Sequence, residues 1–330
     1  MTPALFCYEA FEEEAARLRH YAALANLSID TTPLTIQETG HSAPPAPLIS
    51  LRTQSRIPPA WAPALRGILS RSTGYDHLAA YRDAVAALPS APPVPALGYL
   101  PEYCVRAVAE QALLLWSALL RNLPAQIRHF PAFDRNHLTG RESLAKTIAV
   151  FGVGRIGSEI ASIAAALGMN VLAVDPVVNR PDLPYLPPAE AARRADVLVC
   201  AMSLNPTSRG YFSLDFFRQT ARKPVFVNIS RGECSPAAPL EAALEAGLLS
   251  GAALDVFNEE STLAPALRTP DPSLLTPDNQ ALLRLSRRPD VILTPHNAFN
   301  TAEAVERKSA LSIQSALHFL QTSAFPSPVP

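Results

Sequence analysis

Six short apolar runs, at 147–151, 171–174, 197–201, 225–229, 252–256 and 291–294, recur through the second half of this chain. Helical patterns at 155–168, 188–194, 213–220 and 237–247 separate most of them. This alternation constrains the fold more than any other feature. Unbroken apolar strands suit a sheet covered on both faces, and a strand–helix–strand order joins them in parallel. The expected class is α/β, with a doubly wound parallel sheet of the dinucleotide-binding kind. Residues 258–289 have little strand character and many Pro, Ser and Leu residues, so they read as an excursion from that sheet.

The first run, TIAVF, leads into Gly152-Val153-Gly154-Arg155-Ile156-Gly157, where the helical stretch RIGSEIASIAAALG begins. A G-x-G-x-x-G alone is a weak motif, but between a strand and a helix it has the setting of a pyrophosphate-binding turn. Gly152 permits the tight turn, Gly154 lets the backbone approach a pyrophosphate, and Gly157 lets helix and strand pack closely. The helix N-terminus adds N–H groups and a positive dipole end. Asp175 closes the next strand. An acid there accepts bonds from ribose hydroxyls and repels a 2′-phosphate, which favours NAD over NADP. Arg180 reads as a solvated loop residue.

Three later residues each follow a strand: Arg231 after PVFVNIS, Glu260 after GAALDVF, and His296 after VILTP. Ligands of open α/β sheets bind beyond the carboxyl ends of the strands, so cation, acid and imidazole share an edge with the glycine turn. The set suits hydride transfer at a hydroxyl or carbonyl carbon. Imidazole moves the proton, a neighbouring carboxylate orients it and favours its charged form, and a guanidinium grips a carboxylate in a fork. Taken singly, each has a bland alternative: a structural loop histidine, an Arg-Gly turn, a solvated Glu259-Glu260 pair. Their joint placement favours chemistry.

At 330 residues the chain suggests two or three domains, at roughly 100–200 residues each. Hydrophobic residues at 48% and charged residues at 17% exclude a largely disordered chain. A net charge of −1 removes the basic footprint of a nucleic-acid binder. Cys7, Cys104, Cys200 and Cys234 are widely spaced and make neither a metal site nor a disulfide framework. No secretory leader is visible, and no apolar run reaches the ~20 residues of a membrane span. A soluble, cytoplasmic protein with no metal follows. In the first hundred residues, runs 4–8, 47–51 and 66–69 read as strands and 11–27 as a helix, with proline clusters between. Residues 102–122 form the longest helical candidate, apolar around most of its surface and stopped by Pro124.

The stretches RSTGYDHL (71–78), EYCVRAVAEQALLL (102–115), VFGVGRIGSEIASIAAALGMNVLAVDP (150–176), NISRGE (228–233), GAALDVFNEE (251–260) and TPHNAFNT (294–301) resemble, in order, the D-isomer-specific 2-hydroxyacid dehydrogenases. PHNAFNT and the long interval from Glu260 to His296 are most similar to the D-lactate dehydrogenase branch. The resemblance implies that Arg231 binds the substrate carboxylate and carbonyl, that His296 is the acid/base, and that Glu260 pairs with it. It assigns Gly152, Gly154, Arg155, Ile156, Gly157, Asp175, Asn205, Thr207 and Asp255 to the cofactor, with Asp255 near the nicotinamide. Thr73 and Gly74 would offer backbone N–H groups to the substrate. Tyr103 and Phe299 match aromatic residues of its pocket, although domain packing accounts for them equally well.

The implied architecture is a Rossmann domain, 102–297, and a discontinuous flavodoxin-like substrate domain, 1–101 with 298–330, the substrate lying between them. Helix 102–122 would contribute to a homodimer. The expected activity is NAD-dependent reduction of a small 2-keto acid to a D-2-hydroxy acid, with neither nucleic acid nor membrane as partner. Two alternatives remain: a formate- or phosphite-type dehydrogenase, and an NAD-sensing interaction protein of the corepressor type. The opening hundred residues, which hold much of the substrate pocket, resemble the family only loosely apart from LISLRTQSRIP (48–58).

Overall fold

The computed structural model describes residues 2–268 and 275–330. The chain divides into two compact units, one running up to Cys104 and resuming at Asn300–Pro330, the other comprising Val105–Phe299. The first unit contains β1 (Leu5–Cys7), α1 (Glu12–Leu24), β2 (Ile29–Thr31), α2 (Ile36–Thr39), β3 (Leu48–Leu51), β4 (Gly67–Ser70), α3 (Asp76–Ala86) and β5 (Ala96–Tyr99). Its strands are parallel in the order β2-β1-β3-β4-β5. The edge strands β2 and β5 were not evident from sequence. Both are short and incompletely buried, so they lack the apolar signature of β3 and β4. Gly98 in β5 is required by packing: a Cβ there would stand 2.4 Å from the Phe325 ring.

The second unit begins with α4 (Val105–Leu120) and α5 (Leu123–His129). It continues with β6 (Thr147–Phe151), α6 (Arg155–Ala166), β7 (Asn170–Val174), α7 (Pro188–Arg194), β8 (Val197–Cys200), α8 (Leu214–Phe217), β9 (Val225–Asn228) and α9 (Ala237–Glu245). It ends with β10 (Gly251–Leu254), α10 (Glu260–Arg268), α11 (Pro277–Leu285) and β11 (Val291–Leu293). Six parallel strands among the described residues run in the order β11-β10-β9-β8-β6-β7. The winding direction reverses between β6 and β8, which opens a crevice beyond their carboxyl ends. On one face Phe151, Phe212, Phe217 and Phe226 interlock as a buried aromatic core.

Two local expectations need correcting. The long helix is not stopped by Pro124. It ends at Leu120, Asn122 turns left-handed at φ 52°, and Pro124 sits in the first turn of α5. There its missing N–H disturbs no helical bond. Nor is α4, though apolar around most of its surface, buried on every side: Leu114 is 56% exposed while Ala109, Ala112 and Trp116 are buried. The excursion 258–289 contains no strand among the described residues and holds α10 and α11, the latter capped by Thr276; residues 269–274 of it lie outside the described residues.

The last helix, α12 (Ala302–Thr322), returns to the first unit and packs on α1 and β4. It carries a charge into the core. Lys308 Nζ lies 2.9 Å from Glu14 Oε1, and Arg71 Nε lies 2.8 Å from the same oxygen, with all three side chains fully buried. Arg71 also bonds Ser50 Oγ and the Tyr8 carbonyl. Burial would lift the Glu14 carboxyl, but Arg71, Lys308 and Arg52 hold it below the carboxylate range. Burial presses the Lys308 amine down to about 7, against the pull of Glu14 and with Arg52 and Arg71 repelling it.

An unfolded lysine keeps its proton up to the ordinary value of 10.5, while the folded Lys308 loses it near 7. Between those values the unfolded chain binds more protons, so this group makes stability rise with pH. Relative to the wild type, Lys308→Met should therefore fare best below about pH 7 and lose ground steadily between about pH 7 and pH 10. Urea unfolding across that range checks it, and a pH-independent difference would contradict it.

Candidate active site

The glycine turn has the geometry its sequence demands. Gly152 adopts φ +90°, a conformation open to glycine. A Cβ on Gly157 would stand 1.9 Å from the Gly152 carbonyl oxygen, so the start of α6 can lie against the turn only without a side chain. A Cβ on Gly154 would meet nothing within 4 Å. The space over the turn is thus open, and the first turn of α6, with Arg155 and Ile156, faces it with N–H groups outside the helical ladder. A pyrophosphate fits these features.

Asp175, at the end of β7, is fixed by two backbone donors, Val153 N at 2.7 Å and Val177 N at 2.8 Å. It lines a cavity of about 570 Å³ together with Gly152, Pro187, Met202, Asn205, Thr207 and Tyr211. Its lining combines the acid and other polar groups with apolar Leu186, Pro187 and Met202. A ribose and a flat base have complementary needs. Asn205 Oδ1 accepts from Thr207 N, Thr207 Oγ1 and Ser208 N, closing the loop after β8. Met202 and Tyr211 were not singled out from sequence; the rule that ligands gather where strand order reverses would have pointed to the segment after β8. Arg180 lies in the loop after β7, partly exposed as expected. It is tied to Asp182, to the Ser158 carbonyl and to Ser162 Oγ.

Further along the same edge stand the cation, acid and imidazole. Arg231 follows β9 on a loop spanned by the buried Asn228 side chain, which donates to the Arg231 carbonyl at 2.9 Å. A Cβ on Gly232 would fall 1.8 Å from the Phe257 carbonyl carbon, so this loop abuts the segment leading to Glu260. Glu260 Oε2 lies 2.7 Å from His296 Nδ1, and Glu260 Oε1 accepts from Phe257 N at 2.9 Å. Burial would raise the Glu260 carboxyl, but His296, the Phe257 N–H and Arg231 together hold it below its ordinary value.

His296 has a left-handed backbone, φ 51°, which costs a residue with a Cβ on the order of 1–2 kcal/mol. Asp255 holds the loop in that shape. Its fully buried carboxylate accepts from Thr294 Oγ1, Asn297 N (2.9 Å) and Ala298 N (2.8 Å). Burial pushes the Asp255 carboxyl up, and those donors with His296 draw it back only in part. Phe299, just beyond, is 5% exposed.

Thr73, Gly74 and Tyr103 belong to the first unit. Thr73 and Gly74 form the turn after β4, and among the described residues neither N–H has an acceptor. Thr73 Oγ1 lies 3.4 Å from Cys104 Sγ. Tyr103 is buried, its ring centroid 5.7 Å from Lys308 Nζ and its carbonyl bonded by Arg307. Burial pushes its hydroxyl well above the ordinary tyrosine value.

Comparison with known proteins adds a family. The model described as "D-isomer specific 2-hydroxyacid dehydrogenase, NAD binding domain" matches residues 113–298. A D-lactate dehydrogenase of Staphylococcus aureus (strain MSSA476) is 29% identical over 231 residues, 68% of each chain. A D-specific alpha-keto acid dehydrogenase of Enterococcus faecium is 27% identical over 318 residues, 94% of this chain and 93% of its own. The solved D-lactate dehydrogenase from Aquifex aeolicus, complexed with NAD and lactic acid, shares the fold at a TM-score of 0.83 and 24% identity, covering 97% of this chain and 96% of that one.

The two glycines of the turn should respond differently to one methyl group. Gly157→Ala meets backbone and should lose about 1–3 kcal/mol of stability in denaturant titration. Gly154→Ala should stay within about 1 kcal/mol of the parent yet weaken nucleotide binding measured by NADH fluorescence. The reverse pattern would deny that the open space is the phosphate cradle.

Proposed function

We propose that this chain, which belongs to the D-isomer-specific 2-hydroxyacid dehydrogenase family, reduces small 2-keto acids to D-2-hydroxy acids with NADH. The observation that carries the reading is the His296–Glu260 pair, 2.7 Å apart, at the sheet edge that also bears the glycine turn. Residues of the turn, Gly152 to Gly157, would hold the pyrophosphate, and Asp175 the adenosine ribose. Bound there, the reduced nicotinamide supplies the hydride.

The chain's own residues do the rest. Arg231 takes the substrate carboxylate in a fork and polarises the adjacent carbonyl. Glu260 occupies His296 Nδ1, so Nε2 is the nitrogen that gives its proton to the developing alkoxide. The carboxylate, held anionic, stabilises the imidazolium before that transfer and the loop pinned by Asp255 keeps the ring in place. The Thr73–Gly74 turn offers its unused N–H groups to the substrate carboxylate, and Tyr103 and Phe299 supply apolar contact. The Cys104/Val105 and Phe299/Asn300 divisions would separate a substrate domain from the NAD-binding one.

The assembly proposed is a homodimer. Ile127, Phe130 and Phe133 are 65%, 74% and 73% exposed, and Leu114 on α4 adds to this apolar surface. Large aromatic side chains in water favour burial against a second copy. Four free, buried thiols suit a cytoplasmic setting.

NADH oxidation against pyruvate, branched and aromatic 2-keto acids, hydroxypyruvate and glyoxylate tests the activity; no turnover of any would favour the sensor or small-donor alternatives. His296→Gln should lower kcat by about 10²–10⁴-fold with NADH binding retained, and Arg231→Ala should chiefly raise KM for the keto acid. NADPH used better than NADH would refute the role of Asp175. In light scattering the wild type should show twice the monomer mass, and Phe130→Ser/Phe133→Ser should shift it towards the monomer.

A further inference from the structure

Behind the turn after β4 runs a chain of side chains that the proposed reaction does not use. Ser72 Oγ donates to the Gly74 carbonyl at 2.7 Å. Ser70 Oγ lies 2.6 Å from Ser72 Oγ, and His77 Nε2 lies 3.0 Å from Ser70 Oγ. A hydroxyl has one proton to give. Ser72 gives its proton to Gly74, so it accepts from Ser70. Ser70 gives its proton to Ser72, so it accepts from His77, whose Nε2 must be the protonated nitrogen. Every bond in the series therefore has one direction, from His77 through Ser70 and Ser72 to the Gly74 carbonyl. Imidazole carries that proton both as the Nε2 tautomer and as the cation.

The surroundings make the series hard to replace. Ser70 is fully buried and Ser72 is 8% exposed, so water does not readily stand in for a lost partner. The Ser72 carbonyl is taken by Leu100 N at 3.2 Å, and Arg71 N is bound to the Leu51 carbonyl at 2.8 Å. The Ser72 and Gly74 carbonyls are thus held by their donors, and the Thr73 and Gly74 N–H groups, without an acceptor among the described residues, are the donors the turn presents to an anion.

We infer that His77, Ser70 and Ser72 are positioning residues for the substrate, a one-way hydrogen-bond relay that holds the Thr73–Gly74 turn ready to receive the carboxylate of a 2-keto acid. The inference rests on the function proposed above, in which that turn meets the carboxylate. Donors held in place before the ligand arrives need no ordering when it binds, and this lowers KM rather than raising kcat.

Ser72→Ala, Ser70→Ala and His77→Leu each break a different link, while His77→Gln restores an amide N–H near the place of Nε2–H. The three breaking variants should raise KM for the keto acid roughly three- to tenfold each, with kcat and NADH affinity unchanged, and His77→Gln should recover most of the loss. Because the links act in series, Ser72→Ala/His77→Leu should be no worse than Ser72→Ala alone. Hydrogen exchange of segment 71–78, read by mass spectrometry, should quicken in the same variants. Unchanged KM in the variants of an active wild type would overturn the relay, as would strictly additive losses or a fall in kcat and melting temperature at constant KM. A wild type that reduces no 2-keto acid would instead sink the function beneath the inference, and the positioning role with it; the inactive parent distinguishes that outcome.

Discussion

A parallel hydrogen-bond ladder is the constraint on which the second unit depends. Parallel neighbours cannot be joined by a tight turn, so each connection must leave a carboxyl end and cross back over a face of the sheet. In β6 to β11 that rule sends six loops out of one edge, and the reversal of order between β6 and β8 parts them. The glycine turn, Asp175, the loop of Asn205 and Thr207, Arg231, Asp255, Glu260 and His296 all lie in those loops or in the first turn of the helix that follows. Their convergence follows from strand direction before any side chain is considered.

Strand direction alone does not hold reactive groups still. The loop of His296 is held by bonds from residues distant in sequence: Asp255 grips Thr294, Asn297 and Ala298, and Glu260 grips the ring. The left-handed backbone at His296 is a local penalty that these bonds offset. Gly232 works likewise, since the absence of a side chain brings the Arg231 loop against the Phe257 backbone.

This division also explains what could be read from the sequence. Apolar strand runs, the glycine spacing and the residues following each strand are local patterns, so the alternation at 147–294 and the places of Arg231, Glu260 and His296 were legible. The loop-holding role of Asp255, the Glu14–Arg71–Lys308 cluster and the Ser70–Ser72–His77 series were not. Glu14 and Lys308 meet only because α12 returns to pack on α1, and no spacing rule announces such a meeting. Pro124 misled for a related reason: a proline both ends one helix and starts another, and only the left-handed Asn122 shows which. The short edge strands β2 and β5 lack the burial that makes a strand visible.

The buried ammonium of Lys308 has a practical side. The chain contains three lysines, Lys146, Lys223 and Lys308. With Lys308 sealed in the core, side-chain acylating reagents meet only Lys223, which is exposed, and Lys146, which is half-buried. Both belong to the Val105–Phe299 unit. Among side chains, acylation would therefore mark that unit alone, and the lysine of the other unit would stay unmodified.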